Sequence, residues 1–204
     1  MASQTHTLAF TLQKVIGELS EKRIEKLQEN GYHLAQRINP EAVVFITSDN
    51  NQQLILSQNS ITCTINLDIV DEIINEPSSI ISVFRKVLDI LLLDPSGAIN
   101  FQAERSHDNP VNTFDKSWEF LNSKGDFFEE GAISVGFRIP IILSEKDIRG
   151  DIRIEPFLAD SSKYFVSCAL QTEKVYDLDH LAQKLNDMVR LFRIYEDKAA
   201  TLYK

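Results

Sequence analysis

The chain has 204 residues, 43% of them hydrophobic and 25% charged, with 30 acids against 21 bases and a formal net charge of −9. That length supports one well-buried domain or at most two small ones, and folding hides roughly 70% of the unfolded surface without help from disulfides or metals. The ordinary composition excludes disordered, collagen-like and disulfide-scaffold classes, and the lack of a Lys/Arg stripe argues against nucleic acid as a partner.

In chain order, Leu8, Leu12, Val15, Ile16 and Leu19, then Ile24 and Leu27, recur at helical spacing. Helix is therefore expected over about 8–38, with Ser20 capping a second segment; the alternation of Thr7–Leu12 leaves a short first strand as the competing reading. A three-stranded meander follows over Val43–Thr47, Gln53–Ser57 and Ile61–Leu67, the last placing Ile61, Cys63, Ile65 and Leu67 on one face. Asp68, Asp71, Glu72 and Glu76 flank Ile69, Val70, Ile73 and Ile74, as in a short acidic amphipathic helix. Pro77-Ser78-Ser79 opens a helix with Ile80, Ile81, Phe84, Val87, Leu88 and Leu91 in one stripe, widened by Val83, Ile90 and Leu92. That breadth predicts a central helix, stopped by Asp94-Pro95-Ser96-Gly97.

Ala98–Ala103 reads as a strand, His107–Pro110 as a loop, and Phe114–Leu121 as a short helix capped by Thr113. Three further strands are predicted over Ile133–Ile142, Ile148–Glu155 and Tyr164–Gln171, and Pro140 puts the first at an edge or a bulge. Leu178, Leu181, Ala182, Leu185, Met188, Val189, Phe192 and Tyr195 define a long amphipathic helix with Asp177 placed to cap it. The sum is a single α+β domain over 1–204. Its largely antiparallel sheet consists of two three-stranded meanders covered by amphipathic helices at 78–93 and 177–200. Two runs of three strands, each followed by an apolar helix, also suggest duplicated β-β-β-α halves over 41–95 and 131–204.

Chemistry-bearing patterns are scarce. The glycines at 17, 31, 97, 125, 131, 136 and 150 form neither a dinucleotide fingerprint nor a phosphate loop, and no Gly-x-Ser-x-Gly elbow occurs. Cys63 and Cys168 each sit in an alternating apolar run and read as reduced core residues. His6, His33, His107 and His180 lack the spacing of a zinc pair. Asp177, Asp179 and His180 resemble a site, but acids in a first helical turn are expected from the helix dipole. Arg149-Gly150-Asp151 spells an adhesion tripeptide, best explained by turn chemistry. No catalytic residue, metal ligand or cofactor is therefore assigned. Phe114, Trp118, Phe120, Phe127 and Phe128 crowd into 15 residues. Packing beneath the second sheet is the expected arrangement, and Trp118, Phe127 and Phe128 are the binding candidates if a ring stays outside the core.

Met1–His6 shows no secretory pattern, and Ile80–Leu93 is too short and too often interrupted to span a bilayer. A cytoplasmic, membrane-free setting is the expectation. The stretch from Val43-Val44-Phe45-Ile46-Thr47-Ser48 to Asn66, the helix Ile80–Leu93, and Tyr164 through the terminal helix to Asp197 together resemble a sporadically distributed, uncharacterised bacterial protein family. That family carries a Gly-Leu-Arg-Tyr-x-Asn-like strand near its middle, where this chain has Asn100-Phe101-Gln102-Ala103-Glu104-Arg105. The resemblance implies no activity. The functional expectation is a non-enzymatic adaptor or regulatory protein acting through protein–protein contacts, with the terminal helix suited to a homodimer. The alternative is a small-molecule-binding protein or enzyme whose pocket lies between the sheet and the Ile80–Leu93 helix, near His33, His107 or Glu129.

Overall fold

Leu8, Phe10 and Leu12 alternate along the first segment, and all three are fully buried. The computed structural model, which describes residues 3–39, 41–48, 51–65, 70–120 and 134–203, accordingly begins with a long strand, β1 (Ser3–Gln13). The expectation of helix over 8–38 holds only for α1 (Glu21–Glu29), and β2 (Tyr32–Asn39) follows it. Period 3.6 fits Leu8, Leu12 and Ile16, but it leaves Phe10 off the stripe, whereas period 2 seats Phe10 with its neighbours. Ser20 occupies the N-cap position of α1 without a side-chain capping bond.

The first meander is as predicted: β3 (Ala42–Thr47), β4 (Gln52–Ser57) and β5 (Ser60–Ile65). Ile61, Cys63 and Ile65 are buried, while Leu67 lies outside the described residues. Next come α2 (Val70–Asn75) and α3 (Ser78–Ile90), then β6 (Ser96–Asp108), which absorbs His107 and Asp108 from the predicted loop. In α4 (Thr113–Glu119) the cap is Asn112, whose side chain accepts from the Phe114 and Asp115 amides. Thr113 is buried and donates instead to the carbonyls of Ser161 and Lys163. β7 (Phe137–Leu143), β8 (Ile148–Pro156), β9 (Lys163–Gln171), β10 (Tyr176–Asp177) and α5 (Leu178–Leu202) complete the order.

Among the described residues these strands form one ten-stranded antiparallel sheet in the order β2-β3-β4-β5-β1-β6-β9-β8-β7, with β10 pairing with β6. From either edge the strands run in chain order toward the middle, and each meander closes onto the long strand that precedes it. The two long strands pair antiparallel from Ser3↔His107 to Gln13↔Ala98. Pro140 sits on the edge strand β7, where its missing N–H is tolerated, and the other edge, β2, carries two register irregularities.

Ile24 and Leu27 of α1, Ile80, Phe84 and Leu88 of α3, and Leu181, Leu185, Met188 and Phe192 of α5 join one core with the buried strand face. The opposite face presents Thr11, Thr62, Thr64, Asn100, Gln102 and Glu104, all at least partly exposed. α5 is tied to both ends of β6. At its start Asp177 Oδ1 accepts from the His180 amide at 2.9 Å, and the Leu178 amide donates to the Pro95 carbonyl. At its end Asn109 Nδ2 donates to the Tyr203 carbonyl at 3.0 Å. No described helix is long and apolar enough to cross a membrane.

Arg149-Gly150-Asp151 lies within β8 rather than in a turn. Gly150 has φ +149°, and a Cβ there would stand 1.9 Å from the Ala169 carbonyl oxygen. The glycine permits close approach of β8 and β9. Gly150→Ala is expected to lower stability in urea denaturation by at least about 2 kcal/mol. Arg149→Ala removes only a half-exposed pair with Glu173 and should change stability by less than about 0.5 kcal/mol.

Candidate functional site

The residues singled out from sequence do not converge. Trp118 and Phe114 are half-buried on α4, and Phe120 packs between Phe137 and Tyr203 at ring distances of 5.3 and 5.9 Å. Phe127, Phe128 and Glu129 lie outside the described residues. His33 is exposed on the edge strand β2, whereas His107 is half-buried on β6. Five strand spacings separate those strands, roughly 24 Å. Both cysteines are free and buried; burial pushes the Cys63 thiol up to about 12 and raises that of Cys168 as well, so neither supplies a thiolate near neutral pH. The Asp177 carboxylate caps α5 and also contacts His180 Nδ1 at 2.6 Å. Among the described residues, no group of three His, Cys, Asp or Glu could hold a metal ion.

Ionisable groups do meet beneath the last turns of α5. Arg105 and His107 stand two residues apart on β6, on the face that carries Phe101 and Ala103, and therefore look toward the helix. Glu196 of α5, 9% exposed, is the charged residue among the described buried ones. Its Oε1 lies 3.4 Å from Arg105 Nη1 and 3.0 Å from His107 Nε2. The histidine contact does not have the geometry of a hydrogen bond. The His107 ring stacks on Tyr164 at 5.0 Å, and Tyr164 stacks on Tyr203 at 5.1 Å. Burial and the nearby Glu196 charge push the Tyr164 phenol up to about 12, so it stays protonated. This arrangement locks helix to sheet, with the charged groups turned toward each other.

The opposite end of the sheet is built differently. There β1, the β4–β5 turn, the α3–β6 connection, the start of β6 and the β9–β10 connection surround an open hollow of about 680 Å³, lined by Val15, Leu93, Val175, Gly97 and the Lys14–Asp94 pair. Three connections each leave an aliphatic side chain in water here or beside it: Val15 is 72% exposed, Leu92 80% and Val175 67%. Lys14 Nζ reaches Asp94 at 3.1 Å and Ser96 at 3.2 Å. The Ser96 hydroxyl and the Lys14 ammonium hold the Asp94 carboxyl below the ordinary range. Val175 is presented by a loop gripped from beneath by Asp147, whose Oδ2 accepts from the Glu173 and Lys174 amides and the Tyr176 hydroxyl at 3.0–3.2 Å.

Leu92 is the anomaly. α3 ends with the Leu93 amide bonded to the Leu88 carbonyl and the Leu92 amide to Asp89, the Schellman pattern, which puts Leu92 at the left-handed C′ position with φ 57°. Glycine or asparagine suits that position; a leucine there costs roughly 1 kcal/mol. The hydrophobic contact that accompanies the motif is available from Leu93, which packs against the core. Leu92 thus carries strain without burial to offset it.

The chain matches no protein-family model and no curated protein. A second, smaller apolar groove of about 230 Å³ runs between β7 and α5, lined by Phe137, Ile139, Ile154, Tyr195, Lys198 and Leu202. The open sheet face holds a polar hollow of about 220 Å³ around Gln102, Glu104, Asp151 and Arg153. None of the three aliphatics at the sheet end was legible as a site. Val15 and Leu92 fit apolar stripes of predicted helices, and Val175 stands alone. The available signal is Leu91-Leu92-Leu93-Asp94-Pro95, a helix end where Gly or Asn is expected and absent.

Two outcomes check these assignments. Glu196→Gln removes the carboxylate charge that meets the half-buried Arg105 and should cost about 1–3 kcal/mol in urea denaturation, whereas Asp197→Asn, exposed one residue on, should be neutral within about 0.5 kcal/mol. Leu92→Asn relieves the left-handed strain and should raise stability by about 0.5 kcal/mol, while Leu92→Val, β-branched at positive φ, should lower it. The reverse order would mean that the Leu92 side chain serves the fold.

Proposed function

We propose that this chain is a non-enzymatic binding protein, an adaptor or regulatory component of a cytoplasmic complex, which contacts a protein partner through the Val15–Leu92–Val175 end of its sheet. The single observation that carries this reading is Leu92, a strained and water-exposed leucine where the fold itself favours glycine or asparagine. Exposed apolar groups gathered around a concave surface mark interaction sites. We place the contact here rather than on α5, because the apolar stripe of α5 is buried against its own sheet and its outward positions are mostly polar.

The test is a photo-crosslinking amino acid introduced at Val175, with Leu158 as the control. Leu158 is 71% exposed but lies in the β8–β9 turn at the far end of the sheet. In a lysate of the source cells, a protein crosslinked from position 175 and not from 158, and displaced by excess unlabelled protein but not by a Leu92→Asn/Val15→Thr/Val175→Thr variant, is the expected result. Equal capture from both positions, or competition by that variant as strong as by the parent chain, would overturn the reading.

A further inference from the structure

The sheet face opposite the helices carries a hollow of about 220 Å³ whose walls hold opposite charges. Strand register sets it out. Glu104 of β6 and Arg153 of β8 flank Ser167 of β9, and in the next row on this face Gln102 and Asp151 flank Ala169. Alternation points all six side chains the same way. Long polar groups therefore stand on both sides of two short ones, and the hollow is the space above Ser167 and Ala169.

The charges do not pair across it. Asp151 is already engaged: Arg138 Nη2 donates to its Oδ2 at 2.8 Å and Arg153 Nε reaches its Oδ1 at 3.3 Å, and the Arg138 bond holds its carboxyl below the ordinary range. That contact draws Arg153 along its own strand and leaves its two Nη atoms without a partner among the described residues. On the facing wall the half-buried Glu104 carboxylate accepts from the Thr7 hydroxyl at 3.1 Å. It pairs with no base among the described residues. A carboxylate and a guanidinium thus face each other, each with bonding capacity to spare, across two strand spacings of about 9.5 Å in all.

Two charge-assisted bonds of about 2.8 Å, one at each wall, leave about 4 Å between the charges of a ligand that bridges them. That is the span from the ammonium to the far carboxylate oxygen of a free amino acid. The volume agrees, because pockets for drug-sized molecules run to roughly 300–1,000 Å³ and this hollow is smaller. We infer that the hollow binds a small amino acid as a zwitterion, its ammonium on Glu104 and its carboxylate on the Arg153 Nη atoms. A lone cation would also meet Arg153, and a lone anion Glu104, so neither charge by itself suits the site. Glu104 and Asp151 cancel Arg138 and Arg153 in sum, as a ligand without net charge requires. The site shares no residue with the sheet-end surface and stands whether or not that surface docks a protein.

Titration of the full chain with glycine, followed through the backbone amide NMR signals of Ser167 and Ala169, tests this inference. Acetate and methylammonium, each carrying one of the two charges, are the controls. Glycine should shift both signals saturably at millimolar concentration, and each control should bind at least ten-fold more weakly. Glu104→Gln and Arg153→Gln, shown to be folded by circular dichroism, should each weaken glycine binding at least ten-fold. Arg149→Gln, whose charge pairs with Glu173 beyond the hollow, should leave it unchanged. Ser167→Leu keeps both charges but fills the space, and should abolish binding. The inference is overturned by the lack of a saturable shift with glycine, by a control that binds as well as glycine, or by an equal loss in Arg149→Gln. Unchanged affinity in Glu104→Gln, Arg153→Gln or Ser167→Leu would overturn it too.

Discussion

The pairing of β1 with β6 is the constraint on which the rest of the molecule depends. Its register puts Leu8, Phe10 and Leu12 beside Ala103, Phe101 and Ile99 on one face, all fully buried. Phe10 stacks on Phe101 at 5.4 Å, and Phe101 meets Phe192 of α5 edge-on at 6.1 Å. A slip of one residue would turn this whole set outward. The ladder also needs a small residue where it ends: a Cβ on Gly97 would stand 2.6 Å from Leu12 Cδ1 and 2.9 Å from the Gln13 carbonyl oxygen. Gly97 forms part of the floor of the open hollow, so the tight approach that closes the sheet centre also shapes the surface at its end.

The two ends of that ladder are finished in opposite ways. Toward Asp108, β6 carries Arg105 and His107 under a helix, and the Glu196 carboxylate meets both side chains from above while Tyr164 and Tyr203 fill the space with stacked rings. A buried ion pair of this kind adds little net stability over an apolar equivalent, but breaking it is costly; its effect is to hold the last turns of α5 in one place. Toward Ser96, nothing comparable among the described residues covers the ladder. Short connections cross the end, their amides satisfied by neighbouring carbonyls, and three aliphatic side chains stay in solvent. One end is rigid and closed, the other apolar and open, and the strained leucine belongs to the open end.

Much of the architecture is legible in the residues because periodicity reports burial directly. The strands β3 to β5, β8 and β9 and the helices α3 and α5 lie where alternation or 3–4 spacing puts them. Pro140 falls on an edge strand, as its missing N–H requires. The first forty residues are harder, since Leu8, Leu12 and Ile16 satisfy both periods and only two neighbouring strands decide between them. Asn112 and Thr113 show the same limit at a smaller scale: both are capping types, and the choice between them depends on the Ser161 and Lys163 carbonyls, which are remote in sequence and adjacent in space.

By itself the sequence determined the class, the elements with one clear period, the reduced state expected of Cys63 and Cys168, and the capping role of Asp177, because each rests on chemistry local to a few residues. Only the tertiary structure decided which strands are central, that His33 and His107 stand far apart, that Arg105, His107 and Glu196 meet, and that Val15, Leu92 and Val175 gather at one end. Those facts depend on strand order and register, which bring together residues separated by scores of positions. An apolar side chain reads the same in a sequence whether the fold buries it or leaves it in water.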